Sequence, residues 1–462
     1  MTAVLVAGLA LGTAVWMDAG QAVKSQGPWK RLFQGRELEW PSKAWTSGAV
    51  VSPPTELKRT QSGKLSVGLD FAGLSSADTS GDPPDPVIGV GSGFVVQMVN
   101  TAVRIWTADG VVRADYPLAS FFAASSPDVS DPSIVFDPAD ERWFAPVVDV
   151  AGEAVRVAVS SGSDPTGPWR VYSHASGSCP DQPSLGISGN FVVLGYSAFA
   201  LPCRADSPRY LGGALFVYEK QQLLDGSEAR AVDWGPRPDL SPVAAVSLTR
   251  GPAIAVALVS PPLAGGPTYL AVLTMPGPTI TRLPITSLTP PPRAAQAGTS
   301  LPIETNDVRI ISAVADQRTL WLAGNEGCVP RGDRQPRSCL RIIAVTKGQI
   351  SLDTDVGAKG RDLFYPALAP TVDGEVVVVH GFSSRGAYPG LSAFAIAPGN
   401  HRTPSVAIAE GTAPTLSTRF GDYFGAAAGS HGRVWVTGES TVGPASLRWG
   451  TTVASLTAKR AR

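Results

Sequence analysis

The segment Asp131-Pro132-Ser133-Ile134-Val135-Phe136-Asp137-Pro138-Ala139-Asp140-Glu141-Arg142-Trp143-Phe144-Ala145-Pro146-Val147-Val148 decides the fold. An acid and a proline open it, and a short apolar run follows. Asp137-Pro138-Ala139-Asp140 then forms a polar turn, and a second apolar run reaches Val148. Proline presets φ and aspartate hydrogen-bonds the backbone ahead of it, so both Asp-Pro pairs read as turns. The apolar runs are short and rich in β-branched and aromatic residues, which predicts a pair of adjacent strands.

This unit recurs. Asp85-Pro86-Val87-Ile88-Gly89 leads to Phe94–Val99, and Pro183-Ser184-Leu185-Gly186 leads to Phe191-Val192-Val193-Leu194. Weaker or variant copies pair Pro242–Val246 with Ile254–Val259, and Asp307–Ile311 with Thr319-Leu320-Trp321-Leu322. The last two pair Pro366-Ala367-Leu368 with Val376–Val379, and Asp422-Tyr423-Phe424-Gly425 with Val434-Trp435-Val436. Starts at 86, 132, 183, 242, 307, 366 and 423 give intervals of 46, 51, 59, 65, 59 and 57. Repeats of roughly 40–50 residues with several strands each are propeller blades, and longer intervals are loop insertions. The predicted fold is an all-β, seven-bladed propeller over residues 64–458, with six blades as the alternative.

Composition agrees. Of 462 residues, 49 are Gly and 41 are Pro, a density that excludes an all-helical chain or a coiled coil. Charged residues make up only 16%, as expected when strands are buried on both faces. Lys+Arg equals Asp+Glu at 38 each, so no global basic field exists to hold nucleic acid.

The last repeat is short. Three strands fit between Tyr423 and the basic tail Lys459-Arg460-Ala461-Arg462: Phe424–Ala428, Val434–Thr437 and Trp449–Leu456. The missing strand is expected from Lys64–Phe71, which would complete the seventh blade and leave no open edge. The main helical candidate is Glu219–Gly226.

Residues 23–63, with Gly27-Pro28, Pro41 and Pro53-Pro54, read as an extended leader. Before it, the apolar run Ala3–Trp16 and the small residues around Ala19 and Ala22 make residues 1–22 resemble a signal segment, although a basic start is missing. Cys179 and Cys203 are 24 apart, Cys328 and Cys339 are 11 apart, and no CxxC occurs. Two local disulfides, Cys179–Cys203 and Cys328–Cys339, are expected, with four buried thiols as the alternative. The predicted location is secreted, cell-surface or periplasmic, with no stable membrane span in the mature chain.

Several segments resemble a group of secreted bacterial β-propeller proteins, mostly uncharacterised. They include Gly68-Leu69-Asp70-Phe71-Ala72-Gly73-Leu74, Phe94–Asn100, Phe136–Phe144, Ala158-Val159-Ser160, Asp181–Gly186, Gly421–Ala426 and Trp449-Gly450-Thr451. Ser163-Asp164-Pro165-Thr166-Gly167-Pro168-Trp169 is similar to turns of sialidase and glycosidase propellers, where it implies a structural turn with an aromatic plug. Where that group often has Asp-Tyr-Pro, this chain has Asp181-Gln182-Pro183.

Five repeat starts carry an acid: Asp85, Asp131, Asp181, Asp307 and Asp422. If the innermost strands line a channel, these carboxylates ring one mouth as a ligand site, and an oxygen-rich cluster suits Ca²⁺. The competing reading is that each Asp only initiates a turn. Asp78–Asp85 is a second acidic stretch without EF-hand spacing. Glycosidase chemistry needs two carboxylates, and Asp85 or Asp131 with Glu326 or Glu439 are the weak catalytic candidates.

No Gly-x-Ser-x-Gly elbow, HExxH or P-loop occurs, and Gly89-Val90-Gly91-Ser92-Gly93 lies between strands rather than before a helix. Arg331-Gly332-Asp333 would sit on a loop closed by Cys328 and Cys339. The sequence therefore points to a monomeric, non-catalytic recognition module for an extracellular protein, glycan or surface ligand. The alternative is a hydrolase acting on glycans at the channel mouth.

Overall fold

The computed structural model describes residues 65–204, 208–226, 228–247, 251–259, 268–316, 318–397, 399–441 and 449–458, with the backbone of Lys30–Leu32 and Arg36–Leu38. The signal-like segment, most of the leader and the basic tail lie outside the described residues.

Each sequence repeat folds as an antiparallel meander. The first unit is Val87–Gly91, Phe94–Val99, Ala102–Thr107 and Val112–Pro117. In the second, Val129–Ser130 and Val135–Asp137 both pair with Arg142–Asp149, followed by Ala154–Ser160 and Trp169–Ala175. The third is Cys179–Ile187, Phe191–Phe199, Tyr210–Glu219 and Arg230–Arg237. The fourth, whose inner strand is only Val243–Ala244, continues through Ile254–Leu258, Thr268–Thr274 and Thr279–Ile285. The fifth runs Ile310–Ala315, Thr319–Cys328, Arg337–Thr346 and Gln349–Val356. The sixth runs Asp362–Pro370, Val376–Ser384 and Ala387–Ala397, with His401–Arg402 and Val406–Ala409 both on its outer edge.

The last unit ends the ring as expected. Gly425–Ala428, Arg433–Ser440 and Gly450–Ala458 take their outermost strand from Leu65–Ser75, with Leu65 opposite Ala458 and Ser75 opposite Gly450. Pairing the first ring strand with the last covers an edge that would otherwise template aggregation.

Among the described residues the hydrogen-bonded sheets number six rather than the expected seven. The cause is Val246–Ser247, which pairs in parallel with Ile187 on one side and with Val314 and Ala315 on the other. That bridge merges the third and fifth units into one ten-stranded sheet, with the fourth unit's own sheet between them in sequence. The architecture is an all-β propeller.

Burial explains the near-continuous apolar strands. Neighbouring units share separate apolar clusters, for example Phe144, Val157 and Tyr172 against Leu185, Leu194 and Phe216. The series returns to its start where Ile88, Val95 and Trp106 meet Trp435 and Val453. Trp106, Trp143, Trp169, Trp321 and Trp449 are fully buried. The Ser163–Trp169 segment is the structural turn that its resemblance implies. Asp164 accepts the Thr166 N–H at 2.8 Å, and the Trp169 indole N–H donates to the Pro165 carbonyl at 2.9 Å.

Two α-helices occur among the described residues: α1 (Leu118–Phe121), absent from the sequence reading, and α2 (Lys220–Asp225), which matches it. Gly226 caps α2 in left-handed backbone at φ 72°, a conformation that favours glycine.

Both disulfides form as expected, Cys179–Cys203 and Cys328–Cys339. They suggest an oxidising extracellular or periplasmic environment. Among the described residues no helix is long and apolar enough to cross a membrane.

Candidate functional site at the channel mouth

Each inner strand must turn sharply from the outer loop into the ring. Asp85, Asp131, Gln182, Asn306, Tyr365 and Gly421 all take left-handed backbone at these entrances, with φ between 49° and 57°. Asp, Asn and Gly are the residues that reach this region most cheaply. Of the five acids at the repeat starts, Asp85 and Asp131 sit at this bend themselves, whereas Gln182, Asn306 and Gly421 hold it beside Asp181, Asp307 and Asp422.

Three of them also converge. Asp85 Oδ1 accepts the Asp422 backbone N–H at 2.7 Å, and its Oδ2 accepts the Asn100 side-chain amide at 2.9 Å. Asn100 Oδ1 accepts the Asp131 N–H at 2.8 Å. Asp131 in turn accepts the Tyr423 hydroxyl at 3.0 Å and the Ser130 hydroxyl at 3.1 Å. This network ties the first, second and last units together, and Asp422 also pairs with Arg419. Asp181 joins electrostatically, pressed by Asp131 and Asp422 and relieved by Arg309 and Arg419.

Asp307 stays apart. Its side chain is 55% exposed and pairs with Arg309 at 2.8 Å. Arg309 reaches toward the Ser197 hydroxyl at 3.4 Å.

Burial decides the protonation of this cluster. It pushes Asp85 up to about 8, with the Asp422 and Asp131 charges adding to the shift. Asp181 rises to about 7, chiefly by burial and then by Asp131. Asp131 is raised by burial against the opposing hydrogen bonds of Tyr423 and Ser130. Glu439 is fully buried, is pushed well above the usual carboxyl range, and feels Asp82 and Asp85. Glu326 belongs elsewhere: burial raises it to about 7 beside Asp353, Asp355 and Arg341.

The cavity inside the ring measures about 780 Å³ and is bounded by the inner strand of every unit. None of the five aspartates lines it. Their neighbours Gln182, Arg309 and Tyr423 do, together with Ser197, so the acids stand behind the wall rather than on it. Most of the wall is aliphatic, including Val135, Leu185, Val246, Val314 and Leu368.

The calcium expectation finds no ligand set: among the described residues no three of His, Cys, Asp or Glu are placed to hold one ion. The carboxylates meet N–H and O–H donors instead. Asp78, in the second acidic stretch, accepts the Ser75 N–H and pairs with Arg104, both at 2.9 Å. Asp333 of the Arg-Gly-Asp triplet is engaged by its own neighbourhood, accepting the Gly360 N–H at 2.8 Å and pairing with Arg337 at 2.9 Å.

Asn100, Arg309, Arg419 and Tyr423 were not among the candidates read from sequence. Tyr423 and Asn100 do lie inside the motif-like segments Gly421–Ala426 and Phe94–Asn100. Nothing in the sequence singles out the two arginines.

No protein-family description matches this chain, and no curated protein does. The expected membership in a secreted bacterial group therefore has no sequence support. Solved structures that resemble it include a protein of unknown function, a β-propeller domain and a sialidase. A protein of unknown function from Dyadobacter fermentans is 12% identical with a TM-score of 0.44, over 86% of this chain and 100% of that one. The β-propeller domain of the Trilobed protease from Pyrococcus furiosus is 8% identical with a TM-score of 0.41, over 77% and 90%. Trypanosoma rangeli sialidase in complex with the inhibitor DANA is 10% identical with a TM-score of 0.36, over 75% and 56%. The propeller architecture rests on the sheets and clusters described above.

Proposed function

We propose that this chain is an exported, monomeric, non-catalytic recognition module whose ring holds seven blades, the ten-stranded sheet counting as two. The observation that carries the recognition reading is the 780 Å³ cavity, open to every inner strand and walled mainly by aliphatic side chains. Apolar walls with a few placed polar groups suit ligand capture. Arg309, Gln182, Ser197 and Tyr423 supply those groups at the acid-backed mouth. Ala, Val, Leu, Ile and Pro outnumber the four aromatic residues Phe136, Tyr196, Tyr423 and Phe424 on this wall. The preferred occupant is therefore an apolar peptide segment of an extracellular protein, ahead of a glycan.

The second reading is a glycan hydrolase. It is favoured by the carboxyls of Asp85, Asp181 and Glu439, whose raised affinity for protons is what a general acid needs. Against it, Asp85 is 1% exposed with both oxygens already engaged.

Peptide and glycan arrays, run beside a chromogenic glycosidase panel, separate the two. Peptide capture lost in Ser133→Arg, at a half-buried position of the channel wall, supports recognition. Turnover lost in Asp181→Asn would replace that reading with the hydrolase, and the absence of both activities refutes both.

A further inference from the structure

A second cavity of about 690 Å³ lies away from the channel, between the fifth and sixth units. Its walls come from the segment 356–361 after the fifth unit, from the sixth unit's central strands, and from 400–405 at its edge.

His380 lines this cavity and is 2% exposed. Its Nδ1 lies 3.0 Å from the Gly381 carbonyl oxygen. A carbonyl only accepts, so Nδ1 carries the hydrogen. Burial holds the ring's proton affinity down to about 4, so the imidazole is neutral near pH 7. Nε2 is then a bare lone pair, and no donor meets it among the described residues. A buried acceptor without a partner costs free energy, and a ligand hydroxyl satisfies it. Ser392, directly across the strand pair from His380, adds a hydroxyl to the same wall.

The charges at the cavity's rim have one sign. Lys359, Arg361 and Arg402 line it, and no Asp or Glu does. The Arg361 guanidinium carbon lies 4.6 Å from the centre of the Phe382 ring, a cation–π contact. The loop carrying Lys359 and Arg361 is itself held. Asp333 accepts the Gly360 N–H, and a Cβ at Gly357 would sit 2.8 Å from both sulfurs of the Cys328–Cys339 bridge.

We propose that this cavity binds a small anion that also bears a hydroxyl group, such as an acidic sugar. The cationic rim takes the carboxylate or phosphate, and the His380 Nε2 lone pair accepts the hydroxyl hydrogen.

Titration calorimetry of the full chain tests this with D-glucuronate and glycerol phosphate as probes. Glucose, a hydroxyl without charge, and acetate, a charge without hydroxyl, are the controls. At least one probe is expected to bind tenfold or more tighter than both controls, and the better probe identifies carboxylate or phosphate as the preferred anion. Arg361→Gln and Lys359→Gln, both at exposed positions, are each expected to weaken it several-fold, and His380→Phe tenfold. If His380→Phe fails to fold, the Arg361 and Lys359 variants decide the outcome alone. Absence of binding by both probes, equal binding of acetate, or unchanged affinity in the rim variants overturns the proposal. Because the channel plug Ser133→Arg lies in the second unit, its failure leaves this result separable.

Discussion

Asp85 is a buried carboxyl whose neighbours make ionisation expensive, and the sign of its pH effect follows. Its folded value of about 8 stands above the ordinary 3.8, so the folded protein holds this proton more tightly than the unfolded chain. The stability it contributes is complete below about pH 4 and is lost as pH rises through 8. Asp181, at about 7, acts in the same direction. Urea unfolding at pH 5 and pH 8 is expected to show lower stability at pH 8. Asp85→Asn is expected to flatten that difference while costing about 1–3 kcal/mol at pH 5, because one of two donors then faces an amide N–H₂. An unchanged slope in the variant would remove Asp85 from the account.

Lys220 presents the opposite case. This 3% exposed lysine opens α2 and lies 2.5 Å from both Asp137 and Asp140 of the second unit. Lys220→Met leaves the buried Asp137 carboxylate without its cation, an expected loss of about 3–5 kcal/mol measurable by denaturant unfolding. A loss below about 1 kcal/mol would mean that water replaces the ammonium there.

At the scale of elements, Leu65–Ser75 makes no hairpin of its own and is held by the final strand. Deleting residues 65–75 bares the edge of Gly450–Ala458, and the truncated chain is expected to aggregate, as light scattering would reveal. A soluble truncation with wild-type melting would contradict this role. The two disulfides cross-link short stretches, and chain-entropy arguments assign about 2–4 kcal/mol to bridges of this length. Reduction is expected to add four hydrogens to the intact mass, two per bridge, and to lower Tm clearly.

Much of this level was readable in the sequence, because Asp-Pro starts and apolar runs are local signals. The turn at Asp137–Asp140, the closing strand and α2 all follow from neighbouring residues. Val246–Ser247 was not separable from the inner strand of its own repeat, since its partners Ile187 and Val314 lie far along the chain. The site was less legible still. The aspartates at the repeat starts were visible, but their seat behind the cavity wall depends on which side chains the ring's curvature turns inward. Asn100 and Arg309 acquire their roles only once separate units are neighbours. Nothing in the sequence separates His380 from the other three histidines of the chain.

For the molecule as a whole, each unit is braced by its neighbours through shared apolar clusters, and the two ends of the ring lie side by side. A circular permutant opened at Gly374, an exposed hairpin turn with φ 80°, and joined from Ala458 to Leu65 through a short linker is expected to fold and remain soluble. Its circular dichroism spectrum should match that of the parent, and a random-coil spectrum would show that the native order of strands is required.

The pairing of Ser66 with Thr457 spans 391 residues of chain. During synthesis the first ring strand emerges early and its partner emerges last, so for most of translation that strand has nowhere to dock. The completed ring is therefore an event in time as well as in space, available only after Ala458 has appeared. A chain that must wait in this way is open-ended while it is being made.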